Sequence, residues 1–293
     1  MRLDDEQESS NYEVQRGGGG GLGFGGGGGG GLLGMLIPLI ASRFGLGGIV
    51  VAVIAMAFFN GGLGFLSGGG GNVAPTSQGQ KVPSTELSQI QRFSLRVLGS
   101  TERVWGAVFA EQGQRYTPTV LSFYSQNGTS GCGAAQSAMG PFYCPTDQKI
   151  YLDTDFFTEL QQRFKAPGDF AQAYVIAHEV GHHIQDLEGT LKQVNQAQRR
   201  AGTTEANALQ VKVELQADCY AGVWAKRTGL MEAGDLEEGM RAAEAIGDDT
   251  LQRDAGQRPV PDSFTHGSSE QRMSWLKRGL DSGNPASCDT FTG

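Results

Sequence analysis

Two histidines and a glutamate lie close together in the segment HEVGH, which spans residues 178–182. If this segment is helical, His178 and His182 project from one face, because residues at positions i and i+4 lie one above the other on a helix. Two imidazoles placed in this way can bind one zinc ion, and Glu179 beside them can take a proton from a water molecule. The motif predicts a zinc centre, although a motif this short also occurs by chance in unrelated chains.

A third zinc ligand is expected later in the chain, at Glu214. It lies within residues 205–226, a segment without proline and without glycine before Gly222, which indicates a second long helix. A carboxylate at this position would complete a site of two histidines and one glutamate, with the fourth zinc position left to water. One turn further on, Asp218 could accept a hydrogen bond from a ligand imidazole and orient it. The alternative is a solvated acidic face, which the mostly apolar neighbouring residues disfavour.

Two further histidines could belong to the site. His183 directly follows a predicted ligand and therefore points about 100° away from it around the helix. It cannot join His182 on the same ion without distorting the helix, so a packing or surface role is expected. His266 precedes a further predicted helix, and two interpretations of it stay open. It is either a plain residue at the helix start or a catalytic donor of a hydrogen bond to the oxyanion of a tetrahedral intermediate.

The residues around the HEVGH segment favour the helix that the motif requires. Pro167 and Gly168 interrupt the chain, and Asp169 can cap the helix together with Gln172, three residues later. Apolar residues then recur at the spacing of a helix that buries one face. This stripe consists of Phe170, Tyr174, Ala177, Gly181 and Ile184.

The rest of the domain is predicted to be a small α+β arrangement. Apolar residues at helical spacing predict one or two helices over residues 85–110. Short strands are predicted at residues 119–124 and 149–152, on either side of a glycine-rich loop at residues 132–144. Helices dominate from there on, so the predicted fold is a mainly helical domain with a small sheet. The strand at residues 149–152 is the candidate edge strand to which an extended peptide could add.

The first third of the chain has a composition unlike that of a folded domain. Residues 1–31, acidic and then glycine-rich, are predicted to be disordered, because they offer too few apolar side chains to offset the entropy of ordering. Residues 32–66 are predicted to form a transmembrane anchor and residues 67–84 a linker. The folded domain is then expected at residues 85–293.

The anchor prediction depends on an uncharged run at residues 44–66. As a helix this run would be about 34 Å long, enough to cross a bilayer core of about 30 Å. Arg16 and Arg43 precede it and no basic residue follows before Lys81, so a single-pass anchor in the inner membrane would leave the domain on the periplasmic or extracellular side. A buried core helix is one alternative, and a cleaved signal peptide, disfavoured by the acidic start, is another. Whether residues 32–42 form a second membrane segment stays open.

Net charge and cysteine content limit the partners and the compartment of the protein. The formal net charge is −8 and the sequence has no basic cluster, which argues against a nucleic-acid partner. Four cysteines, an even number, suit disulfides in an oxidising compartment. Three pairings are possible; Cys132 with Cys144 would close a short loop and leave Cys219 to pair with Cys288. Four free thiols in a cytosolic protein are the alternative.

The segments that carry these motifs resemble the neutral zinc metallopeptidase family of bacterial membrane-anchored proteins. The resemblance covers the acidic, glycine-rich and apolar N-terminus and residues 131–145, 166–185, 214–225 and 263–288. It implies a zincin-like domain of gluzincin type, with His178, His182 and Glu214 as zinc ligands and Glu179 as the catalyst.

These features predict a membrane-anchored, zinc-dependent endopeptidase that hydrolyses a peptide or protein substrate. Two other functions compete with this one. The first is a non-catalytic zinc-binding protein of the bacterial envelope with a structural or assembly role, which would have no need of Glu179. The second is a soluble or intracellular zinc hydrolase whose apolar segment has another role, and four free thiols would favour it.

Overall fold

Six β-strands and eight α-helices form within residues 1–15 and 79–292, the part of the chain that the computed structural model describes. The strands are β1 (Tyr12–Val14), β2 (Val120–Tyr124), β3 (Asn127–Ser130), β4 (Gly133–Gln136), β5 (Phe142–Cys144) and β6 (Lys149–Asp153). The helices are α1 (Gln89–Glu111), α2 (Phe156–Gln162), α3 (Asp169–Leu187), α4 (Thr190–Gln198), α5 (Thr203–Thr228), α6 (Asp235–Ala245), α7 (Asp248–Asp254) and α8 (Ser269–Ser282). The fold is mainly helical with a small amount of sheet, as the sequence predicts.

Four of the strands form one mixed sheet in the order β1-β2-β6-β5. The first three run parallel, whereas β5 runs antiparallel to β6 and lies at the edge of the sheet. Strands β3 and β4 form a separate hairpin that connects β2 to β5. The prediction of an edge strand at residues 149–152 is therefore wrong, because β6 is hydrogen-bonded on both sides. The edge position belongs to β5, which lies inside the segment predicted to be a glycine-rich loop.

The two faces of the sheet pack against different partners, since side chains alternate along a strand. Leu121 and Ile150 face the main hydrophobic core, which they share with the helices. Tyr124 and Tyr151 face a smaller cluster on the other side, together with Ala135 of the β3–β4 hairpin. The sheet therefore separates the helical layer from the hairpin.

Helix α5 runs through the helical layer and packs against both α3 and α8. Its contact with α8 is unusually close, because a Cβ atom on Gly222 would collide with the backbone of Leu276, and one on Gly279 with the backbone of Cys219. Only glycine allows two helix backbones to approach in this way. This contact places α8, which carries Arg272, directly beside the face of α5 that holds Glu214.

Residues 1–15 are folded, in contrast to the disorder that their composition predicts. Leu3 is buried in the main core, and Tyr12–Val14 pair with β2 along the sheet. The amino group of Met1 lies 2.8 Å from Asp169 and 3.2 Å from Asp235, at the beginnings of α3 and α6. The N-terminal segment is thus part of the domain, and the prediction of disorder is wrong for this stretch.

The acidic side chains of this segment form ion pairs with α1, in addition to the burial of Leu3 and the pairing of β1 with β2. Glu6 binds Arg103 at 2.7 Å, and Glu8 binds Arg92 at 2.8 Å. The acidic side chains that composition alone assigns to solvent thus have cationic partners far away in the sequence. Residues 16–31, the remainder of the segment predicted to be disordered, lie outside the described residues.

The predicted anchor at residues 32–66 and most of the predicted linker at residues 67–84 also lie outside the described residues. Among the helices of residues 1–15 and 79–292, none is long and apolar enough to cross a membrane. A single crossing by residues 44–66 would put its two flanks on opposite sides of a bilayer. Because β1 pairs with β2, the structure holds both flanks on the same side, and this pairing is not compatible with a single crossing between them.

Both predicted disulfides are present. Cys132 is bonded to Cys144 and ties the β3–β4 hairpin to β5. Cys219 is bonded to Cys288 and ties α5 to the last short 3-10 helix, Pro285–Cys288. Four free thiols, the alternative weighed from the sequence, are therefore excluded.

Candidate metal centre and active site

Helices α3 and α5 bring three residues with metal-binding side chains to one point. Their backbones lie so close that a Cβ on Gly181 would sit 3.0 Å from the main chain of Ala217. Close to this contact the two helices present His178 and His182, on either side of Gly181, and Glu214, about one turn before Ala217. All three side chains are buried. The i and i+4 spacing of the motif thus produces the shared face that the sequence predicts.

The ligand atoms of these three residues all lie within 4.8 Å of one another. The Nε2 atom of His178 is 3.2 Å from Oε2 of Glu214, and the Nε2 atom of His182 is 3.6 Å from the same oxygen. Two imidazole nitrogens and one carboxylate are a common donor set for catalytic zinc, which leaves one position for water or substrate. The residues present therefore fit the metal that the sequence predicts.

Asp218 orients the first of these histidines and is itself fixed from three sides. Its Oδ1 atom lies 2.8 Å from Nδ1 of His178, which turns Nε2 of that ring toward the ligand cluster. The same carboxylate accepts hydrogen bonds from Tyr174 at 2.6 Å and from Arg272 at 2.9 Å. The sequence predicts a contact of Asp218 with a ligand imidazole, which the structure identifies as that of His178. It gives no indication of the tyrosine or of the buried arginine on α8.

The other two ligands are also held by hydrogen bonds at the atoms that do not face the ligand cluster. Nδ1 of His182 lies 2.9 Å from Oε1 of Gln185, whose amide nitrogen in turn donates to the carbonyl of Val213 at 2.7 Å. The Oε1 atom of Glu214 accepts from Gln210 at 2.9 Å, which leaves Oε2 facing the histidines. Such partners fix the tautomer and direction of metal ligands.

The buried carboxylates of the site create an environment that favours a positive charge. Burial disfavours a charged imidazole at His178, but the Asp218 and Glu214 carboxylates outweigh this effect and raise the pKa of His178 to about 10. Burial likewise opposes ionisation of Asp218, yet Arg272 and His178 lower its pKa to about 2. A metal ion bound here would place a positive charge beside these carboxylates.

Glu179 lies beside the ligand cluster and is not part of it. Its side chain is buried, and burial raises its pKa, an effect that His182 and His178 partly offset. A glutamate with a raised pKa is better matched to proton transfer near neutral pH than an exposed one.

His266 lies in the loop before α8; burial acts to lower its pKa, but Asp248 and, to a smaller extent, Glu214 raise that pKa above the ordinary value. Its Nδ1 atom is 3.1 Å from Oδ1 of Asp248. The other oxygen of Asp248 accepts from the N–H groups of Thr265, His266 and Gly267 at 2.6–3.1 Å, which fixes the loop. Within the described residues, no hydrogen bond uses Nε2 of His266.

His183 points away from the metal ligands, as its position on the helix predicts. Its Nε2 atom lies 2.7 Å from the carbonyl oxygen of Thr117, and its Nδ1 atom 3.1 Å from the hydroxyl of Tyr143. The structure therefore gives it a packing role between α3 and β5.

The structure also adds functional residues that sequence reasoning missed, namely Tyr143, Tyr174, Gln185, Gln210, Asp248 and Arg272. Of these only Arg272 carried a usable signal, since it lies one helical turn before Leu276 on the apolar face of a predicted helix. A charged residue on a buried face suggests a buried ion pair.

Comparison with known proteins leads to the same family as the resemblance seen in the sequence. The model of the family described as "Putative neutral zinc metallopeptidase" matches residues 1–291, which includes the N-terminal strand. The uncharacterized protein YpfJ of Escherichia coli K12 is 46% identical over 255 residues, which are 84% of this chain and 87% of that protein. The uncharacterized protein Rv2575 of Mycobacterium tuberculosis H37Rv is 43% identical over 192 residues, 60% of this chain and 64% of its own length. No solved structure matches. The chain belongs to the neutral zinc metallopeptidase family.

Proposed function

We propose that this protein is a zinc-dependent endopeptidase of gluzincin type, with a zincin-like fold. The observation that carries the proposal is the convergence of His178, His182 and Glu214 beside a buried glutamate that is not a ligand. A purely structural zinc site gains nothing from a buried Glu179, because that residue contributes no bond to the metal and its burial is unfavourable.

A zinc ion held by these ligands would supply Lewis acidity, which lowers the pKa of a water molecule and polarises the carbonyl group of a peptide bond. Glu179 takes the proton that the attacking water loses and passes it to the nitrogen that leaves. Transfer of this kind typically contributes about 10²- to 10⁴-fold to the rate. Its buried position beside the ligands suits both steps.

His266 is proposed to stabilise the oxygen that becomes negatively charged as water adds to the carbonyl. Asp248 holds its Nδ1 atom, so Nε2 is the nitrogen left to donate. Asp248 also raises the pKa of His266 against the effect of burial, which favours the protonated form with a hydrogen on Nε2. A donor aimed at a developing oxyanion is typically worth about 10²- to 10³-fold in kcat.

Strand β5 is proposed to hold the substrate. It lies at the edge of the sheet, antiparallel to β6, and its Tyr143 joins it to α3 through a hydroxyl that donates to Asp186 at 2.9 Å. An extended peptide can add to such an edge through main-chain hydrogen bonds, which is a mode of recognition tolerant of side-chain sequence. The substrate is therefore proposed to be an extended segment of a peptide or protein.

We further propose that the domain works outside the cytoplasm, at the bacterial inner membrane. Its two disulfides support this location, because they persist in oxidising compartments. Membrane contact through residues 44–66 remains part of the proposal, in a form that keeps β1 and β2 on one side of the bilayer.

The test uses the full chain, purified in detergent, with zinc content and casein hydrolysis measured together. We expect Glu179→Gln to abolish hydrolysis while it retains zinc, because the amide keeps the shape of the side chain and loses only its basicity. Glu188→Gln is the matched control: this glutamate ends the same helix and binds Tyr220, away from the ligands. Zinc binding by a parent protein that hydrolyses no peptide would instead support the non-catalytic envelope role.

A further inference from the structure

Two buried glutamines connect His182 to the C-terminal segment of the described chain. Nδ1 of His182 lies 2.9 Å from Oε1 of Gln185, and Nε2 of Gln185 donates to Oε1 of Gln216 at 2.9 Å. Nε2 of Gln216 then donates to the carbonyl oxygen of Cys288 at 3.2 Å. Gln185, Gln216 and Cys288 are all buried, so water does not compete for these bonds. We call this series of hydrogen bonds the glutamine relay.

Backbone carbonyls set the direction of the glutamine relay, because a carbonyl can only accept. Gln185 also donates to the carbonyl of Val213 at 2.7 Å, so the atom of Gln185 that faces His182 must be its amide oxygen. The carbonyl of Cys288 in the same way turns the amide oxygen of Gln216 toward Gln185. An amide nitrogen has two hydrogens, so Gln185 can donate to Val213 and Gln216 at once. Its oxygen therefore accepts a hydrogen bond from Nδ1 of His182.

This direction decides which nitrogen of His182 can bind a metal. With a hydrogen on Nδ1, a neutral ring carries its lone pair on Nε2. Nε2 is the atom that lies 3.6 Å from Oε2 of Glu214, on the side of the ligand cluster. Loss of a partner that orients a ligand imidazole typically reduces metal affinity by about 10- to 100-fold. The relay therefore prepares His182 for zinc, as Asp218 prepares His178.

The C-terminal end of the relay is held firmly against α5. Cys288 is bonded to Cys219 of this helix. Two residues further on, Thr290 is buried and donates to the carbonyl of Lys212 at 2.7 Å. Gln216 lies between these two points of attachment along α5. The disulfide thus keeps the carbonyl of Cys288 in place as the acceptor for Gln216.

We propose that Gln216 is a positioning residue of the zinc site, through which the C-terminal segment holds His182 in the tautomer that binds metal. In this role the disulfide of Cys219 and Cys288 affects the metal as well as the stability of the fold, because it fixes the last acceptor of the relay. The inference rests on the proposed zinc site and does not depend on hydrolysis of a peptide.

The first test measures the zinc affinity of the full-length protein by competition with a chelator. Methionine in Gln216→Met fills a similar volume but cannot donate, and we expect a loss of about 2- to 10-fold, typical of one hydrogen bond between neutral groups. Gln15→Met is the matched control. Gln15 is also buried and donates to a backbone carbonyl, that of Thr129 at 2.8 Å, but it directly follows β1. It should keep the parental affinity, and equal affinities of the two variants would overturn the proposal.

The second test asks whether the disulfide acts on zinc through Gln216. Zinc affinity is measured for the parent, for Gln216→Met, for the replacement of Cys219 and Cys288 by serine, and for both changes together. Because both changes interrupt the same relay, the serine replacement should lower zinc affinity by a smaller factor in Gln216→Met than in the parent. Equal factors would mean that the disulfide reaches the metal by another route, and the role of the C-terminal segment would fail.

The third test follows ring N–H protons of the zinc-loaded protein, which a loss of stability alone would not change. Nδ1 of His178 binds Asp218 and Nδ1 of His182 binds Gln185, so nuclear magnetic resonance should give one signal for each ring. We expect the His182 proton in Gln216→Met to resonate upfield and to exchange faster with water, because its hydrogen bond is weaker. The His178 proton should stay as in the parent. Equal changes of both protons, or of neither, would contradict the proposal.

The possible outcomes distinguish a failure of this inference from a failure of the proposed function. A parent that binds zinc but hydrolyses no peptide would end the peptidase proposal, while the affinity and resonance measurements would still decide the role of Gln216. A parent that binds no zinc would overturn both. An active parent whose zinc affinity and His182 proton do not respond to Gln216→Met would overturn the glutamine relay alone.

Discussion

The two sides of the proposed active site are built very differently. The metal-holding half, formed by α3, α5 and α8, supports each of its three ligands with a hydrogen bond from a buried side chain. The strand half, formed by the β3–β4 hairpin and β5, has exposed hairpin residues and an edge strand of only three residues. The pairing of β5 with β6 and the contacts of Tyr143 with α3 tie this half to the rest of the domain, and one disulfide links the hairpin to β5 within it.

This difference indicates how the two halves are expected to respond to change. In the metal-holding half, Asp218 and Arg272 are almost fully buried, so losing one partner leaves an uncompensated charge in the core. The strand half has few buried charges and can adjust locally at small cost. Damage to the first half should therefore appear in zinc content and global stability, and damage to the second half in kinetics.

The largest effect is expected from Arg272→Met, which removes the buried arginine that pairs with the Asp218 carboxylate. Breaking a buried ion pair in this way typically lowers the free energy of unfolding by about 3–5 kcal/mol. The measurement is chemical denaturation of the full chain. Arg253→Met is the control, because Arg253 is 58% exposed in its pair with Asp249 and should cost about 0–1 kcal/mol. If the two variants lost similar free energies of unfolding, the distinction between the metal-holding half and the strand half would not hold.

Next in size is the loss of one disulfide from each half. Replacing Cys132 and Cys144 together by serine removes a crosslink of sequence separation 12, and a disulfide is typically worth about 2–4 kcal/mol. We expect KM to rise while zinc content stays at the parental level. The corresponding double replacement of Cys219 and Cys288 should reduce zinc retention as well, since Cys219 is next to Asp218. Equal zinc loss from both would contradict the comparison.

A smaller effect, on zinc affinity, is expected for Asp218→Asn, which weakens the support of His178 and, by leaving Arg272 unpaired, also lowers stability. Changes to such partners typically reduce metal affinity by about 10- to 100-fold. Competition with a zinc chelator measures it. Asp186→Asn, which alters the carboxylate bound to Tyr143, should leave zinc affinity close to the parent. A zinc loss as large as that of Asp218→Asn would show that the strand half also holds the metal.

The smallest effect concerns the His266–Asp248 pair and depends on pH. The pKa of His266 is raised in the folded protein, so the pair contributes its full stability below about pH 6.5 and loses it as pH rises through the raised value. We expect His266→Gln to lower Tm by about 2–4 °C near pH 6 and by less at pH 9. A Tm difference between the variant and the parent that grows as pH rises would contradict this prediction.

The sequence predicts the metal-holding half better than the strand half, for a physical reason. Helical periodicity is a local signal, so His178, His182 and Glu214 can be placed on helices from spacing alone. Strand β5 lies in a glycine-rich segment, and its edge position depends on pairing with β6, which no local pattern states. A strand of this kind can be recognised only from its tertiary contacts. The role of Asp248 in the site likewise becomes visible only in the folded structure.

The N-terminal segment shows a second limit of composition. Acidic residues such as Glu6 and Glu8 suggest solvation when their neighbours alone are considered. Their arginine partners, Arg103 and Arg92, lie more than eighty residues away. Charge content predicts disorder only when partners are lacking, and a sequence does not show which charges meet.

The attachment of residues 1–15 also sets an order of events during synthesis. These residues leave the ribosome before the rest of the domain, yet β1 pairs with β2 and the Met1 amino group binds Asp235. At about 5–20 residues per second, residue 235 follows residue 1 by about 12–50 s. The beginning of the chain must therefore wait, unpaired, until most of the domain has been made. If the domain matures on the far side of a membrane, its first fifteen residues have to be carried there as well before folding can finish.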